Sequence, residues 1–219
     1  MKAKAIQYIK ENQLNLGSLV IALLVGIFLP EHLGTALPMF GLTATFAFKE
    51  DNGAATGSPA RGTTAGTTVT TCNWKNADDA TATAYSAAPI TAGNNSFSKY
   101  QWGAFSGTYN QLSAGLWSPH TAGTLGTGLT LVGKVSSTYA TPSTTALSSA
   151  TDYSSIVAIG SGATVLFSPD GNPYTASPQA SQTANPSATQ YLISQLQTSG
   201  SAAPGDIASI TLTLQYNEN

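Results

Sequence analysis

The sequence predicts a mainly β protein: an N-terminal hydrophobic α-helix followed by a β-sandwich, jelly-roll or immunoglobulin-like. Three observations predict it. Residues 14–29 are apolar on every face of a helix. Beyond residue 40, short runs alternate apolar and hydroxyl-bearing residues. Stretches rich in Gly, Pro, Asn, Asp and Ser separate those runs. The 219 residues then divide into 1–40, an anchor or polymerisation segment, and 41–219, a β-sandwich domain.

From Lys2 to Leu29 no proline interrupts the chain. The first half, "KAKAIQYIKENQ", is polar with Ile6 and Ile9 on one side. The second half carries Leu14, Leu16, Leu19, Val20, Ile21, Leu23, Leu24, Val25, Ile27, Phe28 and Leu29, so a helix here must bury itself in lipid or in other helices. Pro30 lacks a backbone N–H and restricts Leu29, which gives a natural stop.

Three roles compete for this segment. As a signal peptide it has a basic start, an apolar core and small residues at Gly34-Thr35-Ala36. As a bilayer span, the run 14–29 covers roughly 24 Å against a core of about 30 Å, with Leu33, Leu37, Met39 and Phe40 able to extend it. Lys2, Lys4 and Lys10 would hold that end in the cytoplasm. As an assembly helix it would pack against copies of itself.

The strands follow in order. "GLTATFAFK" alternates Leu42, Ala44, Phe46 and Phe48 with smaller partners, a half-buried strand. Further strands are expected at 67–74, 96–105, 128–135, 153–160, 162–168 and 189–196, the last with a short helix as its alternative. "DIASITLTLQY" closes the series with Ile210, Leu212, Leu214 and Tyr216 on one face. The stretches "EDNGAATGSPARGTTAG" and "SPHTAGTLGTG" read as loops.

A hydrophobic N-terminal helix carrying a β-rich head resembles the pilins, over the architecture of the whole chain rather than in a motif. The prepilin pattern of a glycine before the apolar stretch with a glutamate near its fifth position is absent; Glu11 precedes the run. The resemblance implies an extracellular filament of many copies. The strand 42–48 either pairs within its own domain or completes a neighbour's sheet, as in donor-strand filaments.

Composition supports a passive building block. Charged residues are 8% of the chain, against roughly 25% in a typical soluble protein. The surface must then be built from Ser, Thr, Asn, Gln, Gly and Ala, which hydrogen-bond to neighbours and repel nothing. Net charge is −2 and no basic patch follows Lys10, which excludes a nucleic-acid binder. With few titrating groups, stability is expected to change little with pH.

No motif points to catalysis, and no enzyme activity is expected. "GLTLVGK", Gly128 to Lys134, has the GxxxxGK skeleton, but Val135 stands where magnesium needs Ser or Thr, and its interior is strand-like. His32 and His120 are the only histidines, and no GxSxG elbow is present. Cys72, the only cysteine, reads as a buried thiol and excludes an internal disulfide. No cofactor is expected. "KEDNG", "NADDA" and "SPDGNP" could offer oxygen to calcium, though turn chemistry explains them without an ion. Asn94-Asn95-Ser96 is a glycosylation sequon. Trp102, Tyr109 and Trp117 could form a sugar platform, with core burial the simpler assignment.

These readings favour a structural subunit of a self-assembling cell-surface filament, with copies of itself and membrane lipid as partners. The alternatives are a capsid or spike protein of a membrane-containing virus and a membrane-anchored surface binding domain.

Overall fold

The computed structural model describes residues 4–5 and 43–218, apart from 85, 122–124, 156–161, 170–172, 174–177, 184–186, 204 and 206–209. The chain divides into two compact units, Met1–Tyr8 with Thr43–Asn219, and Ile9–Leu42. The second unit, and with it the apolar run Leu14–Leu29, lies outside the described residues.

The described residues are mainly β and contain no helix. The expectation of a helix beginning at Lys2 is corrected at the two N-terminal residues described. Lys4–Ala5 form a short strand, β1, which pairs in parallel with Thr211 and Leu212. The remaining strands are β2 (Thr43–Thr56), β3 (Arg61–Val69), β4 (Lys99–Thr108), β5 (Leu112–Thr121), β6 (Leu129–Ser136) and β7 (Thr151–Asp152). They continue with β8 (Ala163–Val165), β9 (Phe167–Ser168), β10 (Ser181–Gln182), β11 (Ser187–Thr189), β12 (Tyr191–Thr198) and β13 (Ile210–Glu218).

The larger sheet runs β3-β2-β4-β12-β6-β7, with β11 bridging β4 and β9. The smaller runs β1-β13-β5-β10, with β8 also on β5. Every pairing but β1–β13 is antiparallel. Sheets of eight and five strands fit neither the roughly seven to nine strands of an immunoglobulin domain nor the eight of a jelly roll.

Period-2 alternation explains how the larger sheet feeds two cores. On one face Phe48, Phe105, Leu131, Leu192 and Leu196 meet Leu112, Trp117, Val165, Ile210, Leu212 and Leu214 of the smaller sheet. Phe46 packs edge-on to Phe48 at 4.7 Å, and Phe105 edge-on to Phe167 at 5.9 Å. Each fully buried side chain of this kind stabilises the fold by about 1.5–3 kcal/mol. On the other face Tyr100, Trp102, Ala188, Tyr191 and Ile193 form a second cluster with Tyr139.

Several expected elements differ. The supposed loop 50–66 is mostly a long hairpin, because β2 continues to Thr56 and β3 starts at Arg61. The stretch 67–74 is strand only as far as Val69. "LSAGLWSPHT" is strand β5, although it carries Gly115 and Pro119, because β13 pairs with it from Leu112↔Glu218 to Thr121↔Ile210. Tyr153–Ser155 lie outside any strand, and the rest of the run expected at 153–160 lies outside the described residues. Residues 191–198 are strand, not helix. β2 sits between β3 and β4 in its own sheet.

Candidate functional site

β2 carries Glu50, Asp51 and Asn52 in succession, and alternation sends their side chains to opposite faces of the larger sheet. All three are buried, Glu50 and Asp51 completely. Lys75 and Lys99 are also fully buried. A chain with 18 charged residues, eight basic and ten acidic, therefore gathers seven of them here: Glu50, Asp51, Arg61, Lys75, Asp78, Asp79 and Lys99.

On the inner face Glu50 continues the row of Phe46 and Phe48, so the apolar core gives way to an ionic one. Glu50 Oε1 accepts from Lys99 Nζ at 3.2 Å and from Asn52 Nδ2 at 3.0 Å, while Oε2 accepts from Gln101 Nε2 at 3.0 Å. Lys99 Nζ also donates to the Asp79 carbonyl at 2.8 Å. The segment after β3 caps this end. Asp78 accepts from Asn52 Nδ2 at 3.1 Å and from the Gly53 N–H at 2.8 Å. Lys75 Nζ reaches Asp79 Oδ1 at 2.6 Å and the Thr83 carbonyl at 2.5 Å.

On the outer face Asp51 gathers donors from four residues on three strands, β3, β4 and β12. Arg61 Nε and an η nitrogen both lie at 3.1 Å, a two-pronged pair. The Gly66 N–H donates at 2.7 Å, Trp102 Nε1 at 3.1 Å and the Tyr191 hydroxyl at 2.7 Å. The Arg61 guanidinium also lies over the Trp102 ring, 5.5 Å from its centroid. Tyr139 donates to the Gly53 carbonyl at 2.7 Å, tying the same hairpin to the aromatic cluster.

Ionisation follows these contacts. Burial by itself would raise the Asp79 carboxyl, but bonds from Lys75 and Thr83 outweigh it and hold it at about 2. Burial, and then neighbouring carboxylates, push the Tyr139 and Tyr191 hydroxyls well above the ordinary tyrosine range. Burial first, with Glu50 second, pushes the Cys72 thiol far up, which makes it a poor nucleophile. Cys72 Sγ lies 4.0 Å from Ser194 Oγ, which accepts from Trp74 Nε1 at 3.1 Å.

The expected candidates distribute unevenly around this cluster. The assembly residues Leu14 to Leu29 lie outside the described residues, as does His32. Asn94 is exposed in a turn, where its carbonyl accepts from the Thr198 N–H and hydroxyl; Ser96 of the sequon is fully buried. Trp102, Tyr109 and Trp117 are buried and form no open platform. "GLTLVGK" is largely strand β6, with Lys134 Nζ on the Ser148 carbonyl.

Among the described residues no group of three or more His, Cys, Asp or Glu is arranged to hold a metal ion. The acidic residues of "KEDNG" and "NADDA" bond to protein donors, and Asp170 of "SPDGNP" lies outside the described residues. Among the described residues no helix is long and apolar enough to cross a membrane. The buried cluster was invisible in sequence because its bonded partners are up to 140 positions apart. The one available signal was a pair of acids, Glu50-Asp51, directly continuing an alternating strand. Searches among protein-family models, curated proteins and solved structures found no significant match to this chain.

Proposed function

We propose that the chain is a structural subunit that assembles with copies of itself outside the cell, as a filament. The observation that carries this reading is where the charge goes. Glu50, Asp51, Lys75 and Lys99 are wholly withdrawn into the β body, in a chain that is only 8% charged. Among the described residues, what remains exposed is largely Thr, Ala, Ser, Gly and Asn, a surface with little of the like-charge repulsion that keeps proteins apart. The apolar run Leu14–Leu29 adds a segment that must be covered by lipid or by other copies. The body is then scaffold and the apolar run is the adhesive.

Negative-stain microscopy of the purified full chain tests this. Fibres are expected, and introducing charge by Leu19→Lys with Leu24→Asp should abolish them while the β circular-dichroism signal persists. Closed shells would favour the capsid reading. Singly dispersed molecules at high protein concentration, without detergent, would overturn assembly altogether.

A further inference from the structure

We propose that Lys99 and Asn52 form a covalent amide bond across β2 and β4, with Glu50 as the acid–base group that makes it. The inference rests on the side chains rather than on the assembly reading. Lys99 Nζ and Asn52 Nδ2 lie on the same atom, Glu50 Oε1, at 3.2 and 3.0 Å. All three residues are buried, Lys99 and Glu50 completely and Asn52 nearly so. The register of the two strands, Glu50↔Gln101 and Asp51↔Tyr100, carries Asn52 to the position opposite Lys99. Opposed residues in an antiparallel pair hold their Cβ atoms about 4.5–5.5 Å apart, within reach of a lysine and a carboxamide.

The chemistry closes without any co-reactant. A proton passes from the Lys99 ammonium to the Glu50 carboxylate along their hydrogen bond, leaving a neutral amine beside a carboxylic acid. The lone pair this leaves on Nζ faces Glu50, on whose Oε1 the Asn52 carboxamide also rests, and a turn about the Cε–Nζ bond, with the Asp79 carbonyl still accepting from the amine, aims it at Asn52. The amine adds to Cγ of Asn52 and the Nζ–Cγ bond forms. Glu50 gives its proton to Nδ2 and takes one from Nζ, the Cγ–Nδ2 bond breaks, and ammonia leaves. The product is a neutral secondary amide, and Glu50 ends as the acid it was after the first transfer.

Three features favour this pair. Gln101 Nε2 fixes the other oxygen of Glu50 at 3.0 Å, so the carboxyl is oriented before reaction. Asp78 Oδ1 accepts from Asn52 Nδ2 at 3.1 Å and holds the carboxamide in place. Converting a buried ammonium and carboxylate into an amide and an acid removes two charges from a site where charge is poorly solvated. Lys75 and Asp79 are a weaker pair, because an Asp79 carboxyl held ionised by its hydrogen bonds is a poor acyl acceptor.

Intact-mass spectrometry of the full chain, denatured after purification, decides the matter. The expected mass is about 17 Da below that of the sequence, the mass of one ammonia. Trypsin should leave Lys99 uncut and yield a branched species in which residues 50–61 are joined to 76–134. Lys99→Arg, Asn52→Ala and Glu50→Gln should each restore the full mass of their own sequences. Wild-type protein that is folded by circular dichroism, has its full sequence mass, releases peptide 50–61 and is cut after Lys99 would overturn the proposal. So would a bridge mapped to Lys75 and Asp79.

Discussion

Removing the Asp51 carboxylate should be among the most damaging single changes available in this protein. Asp51→Ala strands two buried donors, the Tyr191 hydroxyl at 2.7 Å and Trp102 Nε1 at 3.1 Å, and one half-buried donor, the Gly66 N–H at 2.7 Å. It also leaves Arg61, one-quarter exposed, without its carboxylate. A buried donor left unpaired costs about 1–3 kcal/mol, so the two buried ones give about 2–6 kcal/mol if they act separately, and water can reach the Gly66 N–H. The donors share one acceptor and are coupled, which keeps the total below the upper end. Breaking a buried ion pair from one side costs about 3–5 kcal/mol, in agreement. Urea unfolding at neutral pH, followed by tryptophan fluorescence and circular dichroism, reads the change. At a slope of about 2 kcal/mol per molar, a loss of about 4 kcal/mol lowers the midpoint by about 2 M. Tyr191→Phe removes one of the donors while the others stay, and should cost about 1–2 kcal/mol. It supplies the measurement if Asp51→Ala does not fold. Lys49→Ala, which loses only an exposed bond to Thr68, should stay within about 0.5 kcal/mol. An Asp51→Ala loss below about 1 kcal/mol, or a Tyr191→Phe protein equal to wild type, would refute the reasoning.

Other expectations concern pH and reactivity. Asp79 titrates at about 2 in the folded chain against an ordinary value of 3.8. Its contribution is therefore present above pH 3.8 and lost as pH falls toward 2, and Asp79→Asn should flatten the acid limb of a plot of urea midpoint against pH. Tyr139 and Tyr191 run the other way: their hydroxyls lie above the ordinary value of 10.0 in the folded state. Their contribution is intact below pH 10 and lost above it as the unfolded chain ionises first. Absorbance near 295 nm should show these two titrating together with unfolding rather than before it. Cys72 should resist a thiol reagent such as dithionitrobenzoate in the native protein and react fully in denaturant; fast native labelling would contradict its burial.

The strands that could be read in sequence are those whose own residues carry the pattern. Phe46 and Phe48 alternate, as do Ile210, Leu212 and Leu214, and each set lies in the shared core. The 191–198 strand could be read only by preference, because β12 is buried on both faces and its polar Ser194 and Gln195 are buried with it. The hairpin at 50–66 was hidden because Glu50, Asp51 and Asn52 look like loop residues until their partners are known. Those partners are Lys99, Gln101, Trp102 and Tyr191, supplied by strands 49 to 140 positions away. β5 was hidden by Gly115 and Pro119; Pro119 stands opposite Leu212 of β13, and Gly115 lies where the β13 register shifts and pairs with Val165 of β8 instead. The low count of charged residues suggested weak pH dependence. It could not show that seven of the 18 would gather in one network, with Asp79 held at about 2, against its burial, by bonds from Lys75 and Thr83.

The central claim is that the β body withdraws Glu50, Asp51, Lys75 and Lys99 from its surface, leaving few exposed charges among the described residues. Acetylation of native full-length protein by a lysine-reactive ester, mapped by peptide mass spectrometry, tests it most directly. Lys49 and Lys134, whose amines bond at the exposed surface, should be modified quickly. Lys75, fully buried, should stay untouched until the protein unfolds, and Lys99, equally buried and amide-bonded if the bridge to Asn52 forms, should stay untouched in the folded chain and remain so after unfolding. Modification of Lys75 or Lys99 in the folded chain at the rate of Lys49 would contradict the account.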